Sequence, residues 1–465
     1  MTANHLKFVT SHGRRQFLKA SVASAGGLMI SFSWLGTATA MDESKDSTPV
    51  KLNSYLYVAP DGTITAMVPN PEFGQNVMTS MPMILAEEMD ADWSHIIAKQ
   101  AEYQPDEFER QFTGGSQSIR RGWQSLRMAG AGAKHMLLMA AAAKWQVPTA
   151  QLTAKNSVIS HTATGNSATF GELAADAALM QLPSDITLKA NTDFSLIGQS
   201  QTNVEGHKIV TGKPLFGIDY KSKDMLIAGL VHAPAFGKTL KDADLASIKE
   251  MPGITDAFIL ESTTPDYVKS YFDTSAFTKI VAIVGEKTWS VIKAKRALKA
   301  QWEDIKTHKE PLNRFGTMTE ITVPGGLEST SEHRKQMEAL LESELPILRT
   351  DGEPDKAFAN AAKVLERTYY APYLAHNTME PMNFYGHVTK DGVHVAGPLQ
   401  APGMISPWVA ERTGFSQDKV RIEVTRMGGG FGRRAYSHYL VEAAAISAQV
   451  NRPVKLIYTR EDDMT

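Results

Sequence analysis

The sequence predicts an α+β protein with two or three domains. Short stretches in which apolar and polar residues alternate, such as Val420, Ile422 and Val424 with their charged neighbours, indicate strands with one buried face. Longer stretches carry apolar residues on one helical stripe, as in the Ala-rich segment that begins near Ser437. With 465 residues, of which 43% are hydrophobic, the chain is long enough to bury several cores.

Charge and cysteine content exclude several classes of function. The formal net charge is −2, so we expect no nucleic-acid partner, because such binding requires a basic surface. The chain has no cysteine, which excludes disulfides and cysteine–zinc sites. Iron–sulfur clusters need thiolate ligands, so this chain cannot hold one by itself.

The N-terminal 40 residues have the pattern of an export signal. The twin arginine Arg14–Arg15 precedes a mild apolar stretch over residues 20–35, and Ala38-Thr39-Ala40 forms a small-residue cleavage site. A short membrane anchor is the alternative, but the apolar stretch is too short and too rich in Ser and Gly for it. The sequence therefore predicts a twin-arginine signal peptide, a mature chain that starts near Met41, and a periplasmic location.

Regular elements follow in three groups along the chain. After a polar leader, the first group contains two strands joined by the turn Pro60-Asp61-Gly62, and then two helices. The second group contains three strands and a helix, followed by a charged, proline-containing linker with one helix. The third group opens with a strand that ends in Tyr369-Tyr370. The predicted bounds are strands 52–58 and 63–68 with helices 77–89 and 125–144; strands 225–232, 255–260 and 279–285 with helices 286–302 and 331–341; and strand 361–370 with helix 406–413.

A glycine-rich loop follows the strand near Val424 and precedes the helix that begins near Ser437. Gly428, Gly429 and Gly430 permit backbone angles that a side chain forbids, and Arg433 adds positive charge. Strand, glycine loop and helix together suit an anion, because loop amides and the helix start converge. A P-loop would need Gly-Lys-Ser/Thr, and a Rossmann fingerprint would need glycine at position 433, so both fail. A tight turn without any ligand remains the alternative on these residues alone.

The loop sequence Arg-Met-Gly-Gly-Gly-Phe-Gly-Arg-Arg at 426–434 resembles the cofactor loop of the molybdenum hydroxylases, the xanthine dehydrogenase and aldehyde oxidase family. Its Arg-Arg ending is most similar to the beta subunit of isoquinoline 1-oxidoreductase. The resemblance implies that Phe431 and Gly432 lie beside molybdenum, and that Gly428, Gly429, Gly430 and Arg433 also bind the cofactor. Xanthine dehydrogenases continue Gly-Lys-Glu where this chain has Arg433-Arg434-Ala435, so the purine-binding glutamate is absent.

Other segments resemble the same family. Phe73-Gly74-Gln75-Asn76 stands where relatives carry Met-Gly-Gln-Gly, which makes Gln75 a candidate cofactor contact, with a plain surface turn as the alternative. Asn76 can replace glycine at a positive backbone angle. The segment 374–383 resembles a cofactor-pocket segment and presents His376 and Glu380, which could equally be ordinary loop residues. Gly114-Gly115-Ser116 is either an anion nest or a plain loop. His232 is a lone histidine, so we predict no metal site there.

The resemblance also implies a division into domains. The Thr-Gly-x-x-x-Phe-Gly-x-Asp pattern at 211–219 is similar to the start of the α/β hammerhead domain. The implied segments are the signal peptide 1–40, an N-terminal segment 41–205 resembling part of the molybdopterin-binding region, the hammerhead domain 206–305, a linker or insertion 306–350, and an incomplete first molybdopterin-binding domain 351–465.

The resemblance implies an enzyme subunit. It would bind molybdopterin as the cytosine dinucleotide, and would oxidise an aldehyde or hydroxylate an N-heteroaromatic ring with oxygen from water. Electrons would pass to a small [2Fe–2S] subunit and then to a cytochrome c. No position matches the motif of the family's catalytic glutamate, so the catalytic residue is unknown. We therefore expect a fragment, a split half-subunit, or an exported remnant without activity. A nucleotide-dependent dehydrogenase fails on the glycine spacing.

Overall fold

The computed structural model describes residues 17–22, 28–33, 55–182, 185–262, 267–271, 273, 275–436 and 438–464. The strands are β1 (Phe17–Val22), β2 (Leu28–Ser33), β3 (Leu56–Val58), β4 (Ile64–Val68), β5 (Ile96–Gln100), β6 (Thr153–Lys155), β7 (Val158–His161), β8 (Asn166–Thr169), β9 (Leu226–Val231), β10 (Lys238–Ala243), β11 (Ile254–Glu261), β12 (Lys269–Ser270), β13 (Lys279–Gly285), β14 (Ala300–Asp304), β15 (His308–Arg314), β16 (Thr317–Val323), β17 (Asn383–Thr389), β18 (Gly392–Gly397), β19 (Val420–Val424) and β20 (Val454–Ile457). The helices are α1 (Val77–Met89), α2 (Ser118–Trp145), α3 (Phe170–Ala177), α4 (Gly206–Val210), α5 (Leu245–Lys249), α6 (Thr288–Ala297), α7 (Thr330–Leu341), α8 (Pro354–Asn360), α9 (Pro402–Thr413), α10 (His438–Val450) and α11 (Arg460–Met464). Strands and helices are mixed along the chain, which confirms the predicted α+β class.

The N-terminal part is a five-stranded sheet, in the order β1-β2-β3-β4-β5, with α1 and α2 packed together beside it. Neighbouring strands are antiparallel except β4 and β5, which are parallel. The core contains Leu56, Ile64, Leu85 and Met136. Buried residues alternate with half-buried ones along β4, as the period of a one-sided strand requires.

Strands β1 and β2 lie within the 40 residues for which the sequence predicts a signal peptide. β2 pairs with β3 through three residue pairs, the first of which places Leu28 opposite Val58. This region is therefore part of the first sheet in the structure. The twin arginine Arg14–Arg15 and the cleavage site Ala38-Thr39-Ala40 lie outside the described residues. Cleavage after Ala40 would remove both strands, and the export signal stays a prediction.

A seven-stranded sheet forms the second core, in the order β11-β13-β9-β20-β17-β18-β19. Its first three strands come from residues 206–305 and the other four from residues 351–465, the two segments predicted as separate domains. The parallel pair β9–β20 connects them, with Leu226 opposite Val454. Helices α9 and α10 cover this sheet and bury Ile405, Ile446 and Phe384.

The segment 306–350, predicted as a linker with one helix, contains more structure than that. β15 and β16 form an antiparallel hairpin in which Phe315 (φ 51°) and Gly316 (φ 91°) make the two-residue turn. Positive φ at both turn residues matches the twist of the flanking strands, which favours this hairpin. The hairpin was not predicted because its charge and proline content indicated a linker. Helix α7, which was predicted, begins within one residue of its predicted start.

The strand predicted over residues 361–370 is wrong. In the structure this stretch has no regular secondary structure, and its side chains are exposed. An alternating or β-branched pattern gives a strand only where another strand supplies backbone partners, and none of the described strands pairs here. Residues 327–377 as a whole are exposed, including α7 and α8.

No helix in the described part of the chain has both the length and the apolar character needed to cross a membrane.

Candidate functional site

The glycine loop, residues 428–432, lies between β19 and the short helical turn Arg433–Ala435 that leads to α10. Its backbone is unusual at three positions, with φ of 104° at Gly429, 54° at Phe431 and 89° at Gly432. Glycine adopts such angles freely, but phenylalanine does so at a cost. The Phe431 side chain is nevertheless 64% exposed, so burial of its ring does not offset this strain. Strain of this kind concentrates at functional sites.

Two glycines of the loop are required by close packing. A Cβ at Gly428 would lie 2.4 Å from Cβ of Glu380, and a Cβ at Gly430 would lie 2.7 Å from Oε1 of Gln400. Both distances are shorter than real contacts allow. At Gly432, by contrast, a Cβ would meet no atom within 4 Å, so that position faces open space.

Glu380 supports the glycine loop through bonds to both oxygens of its carboxylate. Its Oε2 accepts a hydrogen bond from the Gly428 amide at 2.7 Å and forms an ion pair with Arg434 at 3.3 Å. Its Oε1 accepts from the Ile218 amide at 2.9 Å and from Nδ2 of Asn383 at 3.0 Å. Glu380 is buried, and these four donors occupy both oxygens. The cofactor contact predicted for Glu380 stays a prediction, while its bonds to the loop are plain.

The two arginines that end the motif point in different directions. Arg434 is fully buried beneath the loop, where its Nε donates to the Gly429 carbonyl at 2.8 Å and its Nη2 donates to the Glu380 carbonyl at 2.6 Å. Arg433 is half-buried and lies 3.5 Å from Oδ1 of Asp463. Burial raises the pKa of Asp463, while Arg433 and Arg460 act in the opposite direction. Arg434 therefore stabilises the loop backbone, and Arg433 is the arginine nearer the surface.

Gln400 links the glycine loop to the N-terminal part of the chain. Its Oε1 accepts from the Gly432 amide at 3.0 Å, and its Nε2 donates to the Thr113 carbonyl at 2.9 Å. Backbone bonds from Thr113 to Gln400 and from Gln400 to Arg434 run alongside. The Gly114-Gly115-Ser116 loop, in which Gly115 and Ser116 both have positive φ, follows Thr113 directly.

Sequence reasoning gave Gln400 no role of its own. Its two partners are 32 and 287 residues away, and no local pattern can show such contacts. The available signal was Gln400-Ala401-Pro402, which resembles a Gln-x-Pro segment of the molybdenum hydroxylases.

The turn that carries Gln75 approaches the same region through Glu72. Gln75 is exposed and closes its own turn, accepting from the Phe73 amide at 2.8 Å and donating to the Pro71 carbonyl at 3.0 Å. The carboxylate of buried Glu72 accepts from the amides of Gly74, Asn76 and Met78, in the turn and at the start of α1. The Glu72 carbonyl accepts from the Met427 amide at 2.9 Å. Asn76 has φ of 67°, as expected for a residue that replaces glycine.

The two histidines singled out in the sequence lie apart from these contacts. His376 is exposed on the segment that leads to Glu380. His232 Nε2 lies 3.9 Å from Oε1 of buried Glu442, which also accepts from the Tyr458 hydroxyl at 2.7 Å. His232 therefore packs beside Glu442 and the Tyr458 ring, away from the glycine loop contacts. Binding roles for Gln75 and His376 stay predictions.

The loop presents unused donors. Among the described residues, no hydrogen bond engages the backbone N–H of Gly429, Gly430 or Phe431, whereas those of Gly428 and Gly432 are bonded to Glu380 and Gln400. Three adjacent amides with no acceptor in the described part of the chain, in a rigidly held loop with Arg433 nearby, suit a group rich in oxygen or sulfur acceptors.

Comparison with known proteins agrees with this geometry. Two family models, each described as a molybdopterin cofactor-binding domain, match residues 12–213 and 340–465, and together they span more than half of the chain. Thr113 lies in the first match and Gln400 with the glycine loop in the second, so the two matched segments meet at the loop. The two matches identify a molybdopterin cofactor-binding protein, and the structure is of the α+β class. The chain belongs to the molybdenum hydroxylase family.

Three curated relatives show the extent of the similarity. The beta chain of isoquinoline 1-oxidoreductase from Brevundimonas diminuta is 27% identical over 97% of this chain and 60% of its own length. The membrane-bound aldehyde dehydrogenase (pyrroloquinoline-quinone) of Gluconacetobacter polyoxogenes is 27% identical over 98% of this chain and 56% of its own length. A nicotinate dehydrogenase subunit from Pseudomonas putida is 24% identical over 89% of this chain and 32% of its own length. The chain therefore spans about a third to three fifths of these relatives.

Proposed function

We propose that this chain supplies the molybdopterin-binding site of a molybdenum hydroxylase. The observation that carries the proposal is the link through Gln400, which joins Gly432 of one cofactor-binding segment to Thr113 of the other. The two segments match the same kind of cofactor-binding domain. Each of them thereby brings one loop, 428–432 or 114–116, to the same place. A cofactor with a broad, acceptor-rich surface would use donors from both loops.

The residues present fit such a cofactor. The N–H groups of Gly429, Gly430 and Phe431 would donate to its acceptors, and the open space at Gly432 leaves room for close approach of the backbone. Arg433 would add positive charge, since its contact with Asp463 is long. The bound cofactor would supply redox chemistry and an oxygen atom that originates from water. The chain would position that cofactor and exclude solvent from its protein-facing side.

The proposed substrates are an aldehyde or an N-heteroaromatic ring. Relatives named for isoquinoline, aldehyde and nicotinate support these two classes. The loop continues Arg433-Arg434-Ala435 where the resemblance to xanthine dehydrogenases would require a glutamate, which disfavours a purine. An inactive exported remnant, the alternative given by the sequence, would hold no molybdenum.

The proposed cofactor form is the cytosine dinucleotide, and the proposed location is the periplasm. The twin-arginine pattern supports export, because that route carries folded proteins with their cofactor already inserted. A small [2Fe–2S] subunit, followed by a cytochrome c, is the proposed path for electrons. The absence of cysteine from this sequence supports a separate electron carrier, since clusters need thiolates.

Molybdenum content tests the proposal. The chain, co-produced with any adjacent iron–sulfur subunit in a host that makes the cofactor, should contain close to one molybdenum atom per chain by elemental analysis. Gly432→Ala should lower this content several-fold, because alanine disfavours φ of 89° and its Cβ enters the open space.

Gly414→Ala is the matched control. Gly414 also has positive φ (74°) and open space around it, but it ends α9 away from the loop. Its variant should retain the wild-type molybdenum content. Folded wild-type protein without molybdenum, or equal content in both variants, would contradict the proposal.

A further inference from the structure

A short turn from the hammerhead-like region lies against the base of the glycine loop. This turn, Phe216–Tyr220, forms a parallel bridge from Phe216 to Arg426 just before the loop. The turn also packs closely against Pro398, since a Cβ at Gly217 would lie 2.3 Å from Cδ of Pro398. The contact is therefore tight and specific, although no sequence pattern connects these segments.

One backbone amide of the turn bonds directly to the loop support. The Ile218 N–H donates to Oε1 of Glu380 at 2.9 Å, while Oε2 of the same carboxylate accepts from the Gly428 amide at 2.7 Å. Asp219 and Tyr220 use their amides within the turn itself, which leaves the Ile218 amide for Glu380. The two oxygens of one planar carboxylate therefore join the turn to the loop.

Lys455 fixes the turn from the other side. This residue lies on β20 and is buried, and its Nζ donates to the carbonyls of Ile218 and Tyr220, the latter at 2.9 Å. Burial lowers the pKa of Lys455 to about 8, with Asp219 and Glu380 acting to raise it and Lys221 to lower it. A buried amine is costly to place in a core unless it is bonded, and here both of these acceptors belong to the turn.

We propose that the Ile218 amide and Lys455 position the glycine loop through Glu380, so that its free amides point at the cofactor. This inference rests on the proposed function for its biological meaning, but the mechanical link can be tested without cofactor. Ile218 and Lys455 act here as positioning residues. Within the described residues no hydrogen bond joins either of them to the loop, and their effect on the loop passes through the carboxylate of Glu380.

Ile218→Pro removes the one N–H donor, and Ile218→Ala is the matched control that keeps it. The Ile218 side chain is 38% exposed, so its truncation costs little packing. The readout is amide hydrogen exchange by mass spectrometry of a peptide spanning residues 426–436, in protein made without molybdenum. We expect exchange at the protected Gly428 amide to rise about tenfold in Ile218→Pro, from the loss of one charge-assisted bond. Ile218→Ala should match wild type.

Lys455→Met and Lys455→Arg provide a second, independent test. Lys455→Met loses both bonds to the turn and should also speed exchange in 426–436, whereas Lys455→Arg keeps donors and should restore protection. Exchange in α10, residues 440–450, should stay unchanged in all four variants and so reports an intact fold. Wild-type exchange in both Ile218→Pro and Lys455→Met overturns the positioning role. Loss of protection in α10 as well as the loop also overturns it, in favour of a general structural role.

The two proposals fail in distinguishable ways. Absence of molybdenum from wild-type protein counts against the proposed function and leaves the exchange result standing. Normal molybdenum content together with unchanged loop exchange in the variants counts against the positioning role alone.

Discussion

Single residues decide the shape of the glycine loop, and Glu380 is the clearest case. Its carboxylate accepts from Gly428, Ile218 and Asn383 and pairs with Arg434. A buried charge is costly unless its bonds are complete, and here each oxygen has two donors. The carboxylate charge is therefore matched by its surroundings, and the loop cannot move without breaking charge-assisted bonds.

Glu380→Gln should destabilise the protein by about 2–4 kcal/mol, because the new amide NH₂ would face donors at one of the two oxygen positions. The measurement is the free energy of unfolding in urea. Glu353→Gln is the control, since Glu353 is exposed and pairs with Lys356 at the surface. That control should change the same free energy by less than about 0.5 kcal/mol. Equal stability of Glu380→Gln and wild type would show that the carboxylate does not hold the loop.

The sequence predicted part of this site. Glycines can be recognised because they permit unusual backbone angles, and Gly429 and Gly432 do have positive φ. Glu72 and Gln400 could not be assigned, since the carbonyl of Glu72 and the side chain of Gln400 bond to segments far along the chain. Periodicity reports which face of an element is buried, but it does not report what a side chain meets there.

The accuracy of the predicted helix bounds depended on the local sequence signals at each helix end. Helix α1 has the predicted bounds of residues 77–89, because Asn76 sets its start and Asp90 its end, both with positive φ. Helix α2 begins at Ser118, seven residues before its predicted start. The prediction missed these first turns because they are rich in Arg and polar residues. Helix α6 ends at Ala297, before its predicted end at 302, because β14 takes residues 300–304 to pair with β10.

The packing of α1 on α2 depends on a glycine. A Cβ at Gly130 would lie 2.3 Å from the Leu85 carbonyl oxygen, so Gly130→Ala should push the helices apart and cost about 1–3 kcal/mol. Gly122→Ala on the same helix meets only the flexible ends of Met81 and Leu126. It should be neutral or stabilising, because alanine favours helix. Thermal unfolding of both variants is the measurement, and a Gly130→Ala variant as stable as Gly122→Ala would contradict the close approach.

At the scale of the whole molecule, the sheet joins segments that the sequence kept apart. β9 and β20 are more than 200 residues apart and pair in parallel, so strands from residues 206–305 and the strands of the second cofactor-binding segment share one core. A pattern of alternation shows that a strand has a buried face, but it contains no information on its neighbour. The fold class was therefore predictable, and the order of strands was not.

The segment of residues 327–377 is not covered by the rest of the chain that the structure describes. Every residue from 327 to 377 is exposed, although the second cofactor-binding match begins at residue 340. The segment carries large apolar side chains, including Ile347, Leu348 and Tyr373. Few of its contacts must break for it to open, because none of its side chains is buried.

Brief trypsin digestion tests this exposure. We expect early cuts within 327–377, which offers Arg334, Lys335, Arg349, Lys356, Lys363 and Arg367, all exposed. The bond after Arg127 in α2 is the internal control, because Arg127 is buried and paired with Glu88, and cleavage there requires unfolding of the helix pair. Resistance of 327–377 together with survival of the bond after Arg127 would mean that a second copy covers the segment in solution or that the segment folds back onto its own chain. Size-exclusion chromatography of the undigested protein then separates these outcomes, since a covering copy doubles the mass, whereas a folded-back segment leaves a monomer.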